Sequence, residues 1–140
     1  MSSEKKVSYD LKRFSGIKRD YTPEEVERLR GSIKINYSMC EHQSKKLWRL
    51  LNTEPYVNTL GSLSGNHSVQ HAKAGLKAIY VSGWQVAADA NQSGQTYPDQ
   101  SLYPSNSVPE LVKRLQSALM RADLVEKADK ELRDWYVPLV

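Results

Sequence analysis

The chain has 140 residues, 39% of them hydrophobic and 26% charged, a composition that excludes a disordered or fibrous protein and fits one folded domain. Such a length can bury a genuine core, yet it is well short of the roughly 250 residues of a closed (β/α)8 barrel. The net charge of +4 raises the question of a nucleic-acid partner, but Lys5, Lys6, Lys12, Arg13, Lys18 and Arg19 are interleaved with Glu4, Asp10 and Asp20. That is the pattern of a solvated surface, and no nucleic acid is expected. One cysteine, Cys40, leaves no disulfide framework, and the polar start Met1-Ser2-Ser3-Glu4-Lys5-Lys6 has no apolar run behind it, so a cytoplasmic chain is expected. Asn36, Asn66 and Asn91 open N-x-Ser triplets, which matter only in a secreted protein. No stretch approaches the ~20 apolar residues of a membrane helix.

Residues Met1 to Asp20 show no apolar periodicity and read as an arm or extended lead-in. Thr22-Pro23-Glu24-Glu25 predicts a helix start, with a capping hydroxyl, Pro at the first helical position and Glu three residues after the cap. That helix runs to Arg30, and Gly31 suits a left-handed position just beyond it. Ile33, Ile35 and Tyr37 alternate with polar residues as a brief extended segment would. Ser38-Met39-Cys40-Glu41 offers a second capping box, opening a helix to about Leu51. Its stripe of Leu47, Trp48, Leu50 and Leu51 should pack, while Lys45, Lys46 and Arg49 face elsewhere.

Beyond Pro55, Tyr56 to Leu60 reads as a strand ending at Gly61, Ser64 to Ala74 as a short helix stopped by Gly75, and Lys77 to Ser82 as a second strand. Gly83 to Pro104 then reads as a polar loop carrying Asp89, Asn91, Ser93, Gly94, Tyr97, Pro98, Asp99 and Ser101. It is far longer than an ordinary strand-to-helix connection, and α/β proteins place ligands in such loops behind the C-terminal ends of strands. Ser107-Val108-Pro109-Glu110 signals the longest helix, in which Leu111, Val112, Leu115, Ala118, Leu119, Ala122 and Val125 keep near-helical spacing. Trp135 to Val140 reads as a third strand. The order β, α, β, α, β predicts an α/β fold with parallel strands and right-handed crossovers. A parallel strand is normally buried on both faces, so the chain reads as cut after its third strand.

Four groups offer chemistry. Cys40, near a helix start, either has a thiolate favoured by the macrodipole or is a small buried hydrophobe. His67 and His71, four apart on a predicted helix, can face one metal ion, but no third ligand stands at a matching spacing and surface polarity is the plainer reading. Asp89 and Asp99 can each serve Mg²⁺, which takes one or two protein carboxylates and keeps several waters, or can simply form turns. Ser82-Gly83-Trp84 supplies a hydroxyl, an unobstructed backbone N–H and an indole donor, a group suited to a carboxylate or aldehyde oxygen. The alternative there is a strand terminus with a packed Trp.

The runs KAGLKAIYVSGWQVAADAN and YPDQSLYPSNSVP closely resemble isocitrate lyase, and KRDYTPEEVERLRGS, KKLWRLL and TEPYVNTLGSLSGN resemble its bacterial type. The resemblance covers the chain from about Arg13. It implies a Mg²⁺-dependent carbon–carbon lyase of the phosphoenolpyruvate mutase superfamily, with a (β/α)8 barrel and a homotetrameric full-length enzyme, cleaving isocitrate to glyoxylate and succinate in the glyoxylate cycle. Ser82, Gly83 and Trp84 match the segment that binds the glyoxylate moiety, Tyr80 lies beside that pocket, and Asp99 matches an acidic residue of the metal site acting through bound water. On this resemblance, residues 1–55 form an N-terminal arm and helices, and 56–140 the first three β/α units of an incomplete TIM-type barrel.

Three departures stand out. The family's Lys-Lys-Cys-Gly-His signature and the acidic, glycine-rich metal segment expected directly after the third strand are absent, and Cys40 belongs to the N-terminal helical region. His67 and His71 stand where the resemblance leads one to expect glutamines. The expectation is an inactive N-terminal portion of an isocitrate lyase without a catalytic residue of its own. The alternatives are a methylisocitrate lyase fragment, or a non-catalytic protein that joins full-length subunits.

Overall fold

A computed structural model describes residues 14–129 and 133–140. It divides into two compact units, Met1–Tyr37 and Ser38–Val140. In the first, α1 (Pro23–Leu29) begins as its sequence predicts. The Thr22 hydroxyl accepts from the Glu25 N–H at 3.2 Å, and the Glu25 carboxylate accepts from the Thr22 N–H at 2.8 Å. Its end differs from expectation, because Arg30 is already extended and Gly31 is not left-handed. Ile33, Ile35 and Tyr37 are all exposed and form no strand.

The second unit opens with α2 (Ser38–Thr53). Ser38 is its first helical residue rather than its cap, so the predicted capping box does not form as such; Glu41 instead pairs with Lys45 at 2.5 Å, one turn on. The expected apolar packing is also weaker than the stripe implied. No residue of α2 is buried, and Leu51 is exposed. Polar contacts reach the chain's last segment instead: Gln43 Nε2 donates to the Val137 carbonyl at 2.9 Å, and Lys46 meets Asp134 at 2.7 Å and the Tyr136 carbonyl at 3.2 Å. Lys46 therefore faces inward, against the sequence reading.

A β-α-β unit follows: β1 (Thr59–Gly61), α3 (Gly65–Lys73) and β2 (Ala78–Tyr80). The strands are parallel, pairing Thr59 with Ala78, Leu60 with Ile79 and Gly61 with Tyr80. Both are shorter than the predicted runs because only these residues complete the ladder. Ser64 caps α3 by accepting from the His67 N–H at 3.3 Å. At the other end Gly75 takes φ +84°, the Leu76 N–H reaches the His71 carbonyl and the Gly75 N–H reaches the Ala72 carbonyl. These two bonds are a Schellman closure, which needs the left-handed residue that Gly supplies without a Cβ clash.

The expected third strand is reduced to one parallel bridge, Ile79 to Leu139, so this segment lies beside β2 on the side away from β1. Helix α5 (Ser107–Ala128) is the longest and covers the sheet with Leu111, Leu115 and Leu119, which pack with Ile79, Val86, Trp135 and Val137. Helices α3 and α5 approach closely because Gly65 has no side chain: a Cβ there would lie 2.5 Å from that of Ala118. Helices and a small parallel sheet around one core agree with the α/β expectation.

Candidate functional site

The parallel strands all point their C-terminal ends the same way, and the residues singled out from the sequence leave from that rim. Ser62 follows β1, Ser82 follows β2, and Val140 bonds Val81 at 2.6 Å beside them. Ser82 is buried; its hydroxyl accepts from the Gln85 N–H at 3.3 Å and its carbonyl from the Val86 N–H at 3.0 Å. It therefore caps a helical turn, α4 (Gly83–Gln85), that continues into a π-helical turn, Val86–Ala90. The segment expected to be loop from Gly83 onward is helical for its first eight residues. Val86, Ala87 and Ala90 bury one side of it, an apolar spacing masked in the sequence by the polar residues around it. Asp89 lies on this turn, exposed.

At the first turn of a helix the N–H groups lack intrahelical partners. Those of Gly83 and Trp84 are in this position, and Gly83 adds no side chain over them. Trp84 is 69% exposed, so the packed-Trp alternative does not hold. Tyr80 is exposed at the end of β2. Cys40 is exposed on α2, which removes its reading as a buried hydrophobe.

Asp99 is nineteen to thirteen residues on from Tyr80 and Val86, yet the chain brings it back. A Cβ built on Gly83 would stand 3.7 Å from Asp99 Oδ1 and 3.8 Å from the Tyr103 hydroxyl. Between those two residues Ser101 takes φ +54°, an uncommon conformation for a residue with a Cβ. The fold-back is organised by Asn91, which the sequence presents only as one of the loop's polar residues and the start of an N-x-Ser triplet. Its buried side-chain amide donates to the carbonyls of Val86, Ala87 and Gln95 at 3.1, 3.0 and 2.6 Å. The Tyr97 N–H reaches the Ala87 carbonyl at 2.9 Å, and the Gln92 N–H reaches the Ser107 hydroxyl at 3.0 Å. Ser107, predicted to cap α5, thus spends its hydroxyl on the loop. Tyr103 was missed as well; the only signal for it was its place in the Tyr-Pro pair that closes the loop.

Behind the turn, Gln85 packs on Gly61, where a Cβ would lie 2.1 Å from Gln85 Oε1. That oxygen is buried without a hydrogen-bond partner. The site is therefore a set of donors beside one exposed carboxylate. Its donor chemistry suits a hard cation on one side only, since Mg²⁺ takes one or two carboxylates plus water. Among the described residues no three acidic, His or Cys side chains gather as a metal cluster.

The model of the isocitrate lyase family matches residues 2–133. This chain belongs to the isocitrate lyase family. Its sequence is 59% identical over 132 residues to the bifunctional glyoxylate cycle protein of Caenorhabditis elegans, covering 91% of this chain and 14% of that one. It is 54% identical over 129 residues to the isocitrate lyase of Halalkalibacterium halodurans, and 48% identical over 130 residues to isocitrate lyase 1 of Mycobacterium tuberculosis, in each case covering 91% of this chain and 30% of the relative. The isocitrate lyase family chain described here thus spans less than a third of the length of these relatives. No helix among the described residues is long and apolar enough to cross a membrane.

Proposed function

We propose that this chain carries the glyoxylate-binding wall of an isocitrate lyase site, of the glyoxylate cycle, in a protein of the cytoplasm. Ser82, Gly83 and Trp84 hold the substrate's oxygens, Tyr80 flanks them, and Asp99 faces Mg²⁺ through bound water. The observation that carries this reading is the return of Asp99 to Gly83 across sixteen residues of chain: a carboxylate beside donors suited to an anionic ligand repels that ligand unless a cation stands between the two. When bound, Mg²⁺ would offset the negative charge that develops on the substrate oxygen. The chain's own groups orient the substrate: the Gly83 N–H and Trp84 indole donate, and Ser82 fixes the turn from which both project.

Residues 56–140 are proposed as the first three β/α units of a (β/α)8 barrel, following an N-terminal part of residues 1–55. The parallel register of β1 and β2 and the parallel bridge at Leu139 support that order. By itself the 140-residue chain does not turn over isocitrate, because its one thiol, Cys40, lies on α2 in Ser-Met-Cys-Glu-His and not in the family's signature. The homotetramer is proposed for the full-length enzyme.

The test is a glyoxylate titration of the ¹⁵N-labelled chain, with and without Mg²⁺. The Gly83 amide and Trp84 indole resonances should move saturably, and more strongly with Mg²⁺; Asp99→Asn should remove the Mg²⁺ dependence. Glyoxylate leaving both resonances in place would sink the binding assignment. Isocitrate cleavage by the purified chain would overturn the claim of inactivity.

A further inference from the structure

Helix α3 carries a second constellation that plays no part in the proposed lyase site. His67 and His71 stand one turn apart on it, with ring centroids 6.4 Å apart and ring planes 25° from parallel. Side chains at i and i+4 are neighbours on a helix face, so one ion can reach both rings. His71 is also held from behind. Its Nδ1 lies 3.0 Å from the hydroxyl of Ser62, a fully buried residue whose own N–H is anchored to the Tyr80 carbonyl at 3.3 Å. Donation from Nδ1–H to that hydroxyl is the tautomer that leaves the Nε2 lone pair available, and metal-bound histidines are oriented by this kind of outer hydrogen bond.

We propose that His67 and His71 chelate a borderline divalent transition-metal cation of the Zn²⁺, Ni²⁺ or Cu²⁺ class, with water completing its coordination. Imidazole nitrogen suits these ions, whereas Mg²⁺ prefers oxygen. With metal–nitrogen bonds of about 2.0–2.1 Å, two rings on one tetrahedral ion have centroids roughly 5 Å apart. The pair must therefore close by about 1 Å from its present spacing. His67 can make that movement because its side chain is exposed, while His71 stays fixed on Ser62. Two protein ligands make this an open site.

The experiment uses the untagged 140-residue protein carrying Cys40→Ser, so that the exposed thiol does not bind metal. Zn²⁺ is titrated by calorimetry, and the histidine ring resonances are followed by NMR. The expected result is one ion per chain, with the His67 and His71 rings shifting and the His42 ring, which packs edge-on against Tyr136, unmoved. Mg²⁺ at the same concentration should produce no ring shifts. His67→Gln, an exposed change whose fold circular dichroism verifies, should weaken Zn²⁺ at least tenfold, and Ser62→Ala should weaken it about 10- to 100-fold. The proposal is overturned if Zn²⁺ leaves the His67 and His71 rings unshifted in the parent protein, or if His67→Gln binds as tightly as the parent.

Discussion

The stripe of α5 and the segment that follows β2 lie in the same unit and are ordered by opposite means. Leu111, Leu115 and Leu119 of α5 are held by burial alone, each no more than 1% exposed. Residues 91–103 are largely exposed and are held by directional bonds that converge on one amide, that of Asn91, and on the hydroxyl of Ser107. Burial is additive over many atoms and tolerant of direction. A hydrogen-bonded fold-back is specific, and it fails at a single residue. The protein thus places Asp99, the carboxylate of its candidate wall, on the part of the unit held by few directional bonds, whereas Ser82, Gly83 and Trp84 leave from a turn backed by the buried Val86, Ala87 and Ala90.

Five single substitutions and one double variant break or sharpen this contrast. Leu115→Ala should be the most damaging, costing about 2–5 kcal/mol by lost transfer and cavity terms, read as a fall in the denaturation midpoint with the loop bonds unchanged at neutral pH. Next comes Gly61→Ala, whose Cβ would lie 2.1 Å from Gln85 Oε1 and must drive that side chain out, at about 1–3 kcal/mol. Because the oxygen is already unpaired, Gln85→Ala should cost little, and the double variant should recover most of the loss. An additive double variant would show that Gly61 is constrained by something other than Gln85.

Asn91→Ala strips donors from three carbonyls and should cost roughly 1–3 kcal/mol. Its diagnostic effect is local: the Tyr97 amide should lose hydrogen-exchange protection while amides of α5 keep theirs. Uniform loss across both would erase the distinction between the two regions. The smallest effect concerns Tyr136, whose hydroxyl donates to Asp123 at 3.0 Å. Burial, then that bond and the Asp123 charge, raise its pKa above the ordinary 10.0. A raised folded pKa means a contribution fully present below about pH 10 and lost as pH climbs through the higher folded value. Tyr136→Phe should cost about 0.5–1.5 kcal/mol at neutral pH and flatten the stability loss above pH 10, in denaturation series run at pH 7 to 11.

Local signals account for what was legible in advance. The Thr22 capping box, the Gly75 helix stop, the spacing of α5 and the ordering of strand and helix are short-range patterns, and each appears where its residues predict it. The family words around Ser82-Gly83-Trp84 were legible for the same reason, since they are contiguous. Long-range pairing was not legible. Lys46 turns inward because Asp134 and the Tyr136 carbonyl are there to receive it, Ser107 leaves its helix end because Gln92 offers an N–H, and Ser38 begins α2 instead of capping it.

By itself, then, the sequence determined the start of α1, the stop of α3, the spacing of α5, the parallel α/β order and the family, because propensity, capping and periodicity act within a few residues. Only the tertiary structure decided that Asp99 and Tyr103 stand over Gly83, that Asn91 rather than either aspartate organises the loop, and that Ser62 lies behind His71. These are meetings between residues nine or more positions apart, or between side chains and backbone carbonyls, and they exist only once burial of the core has fixed which segments share a surface.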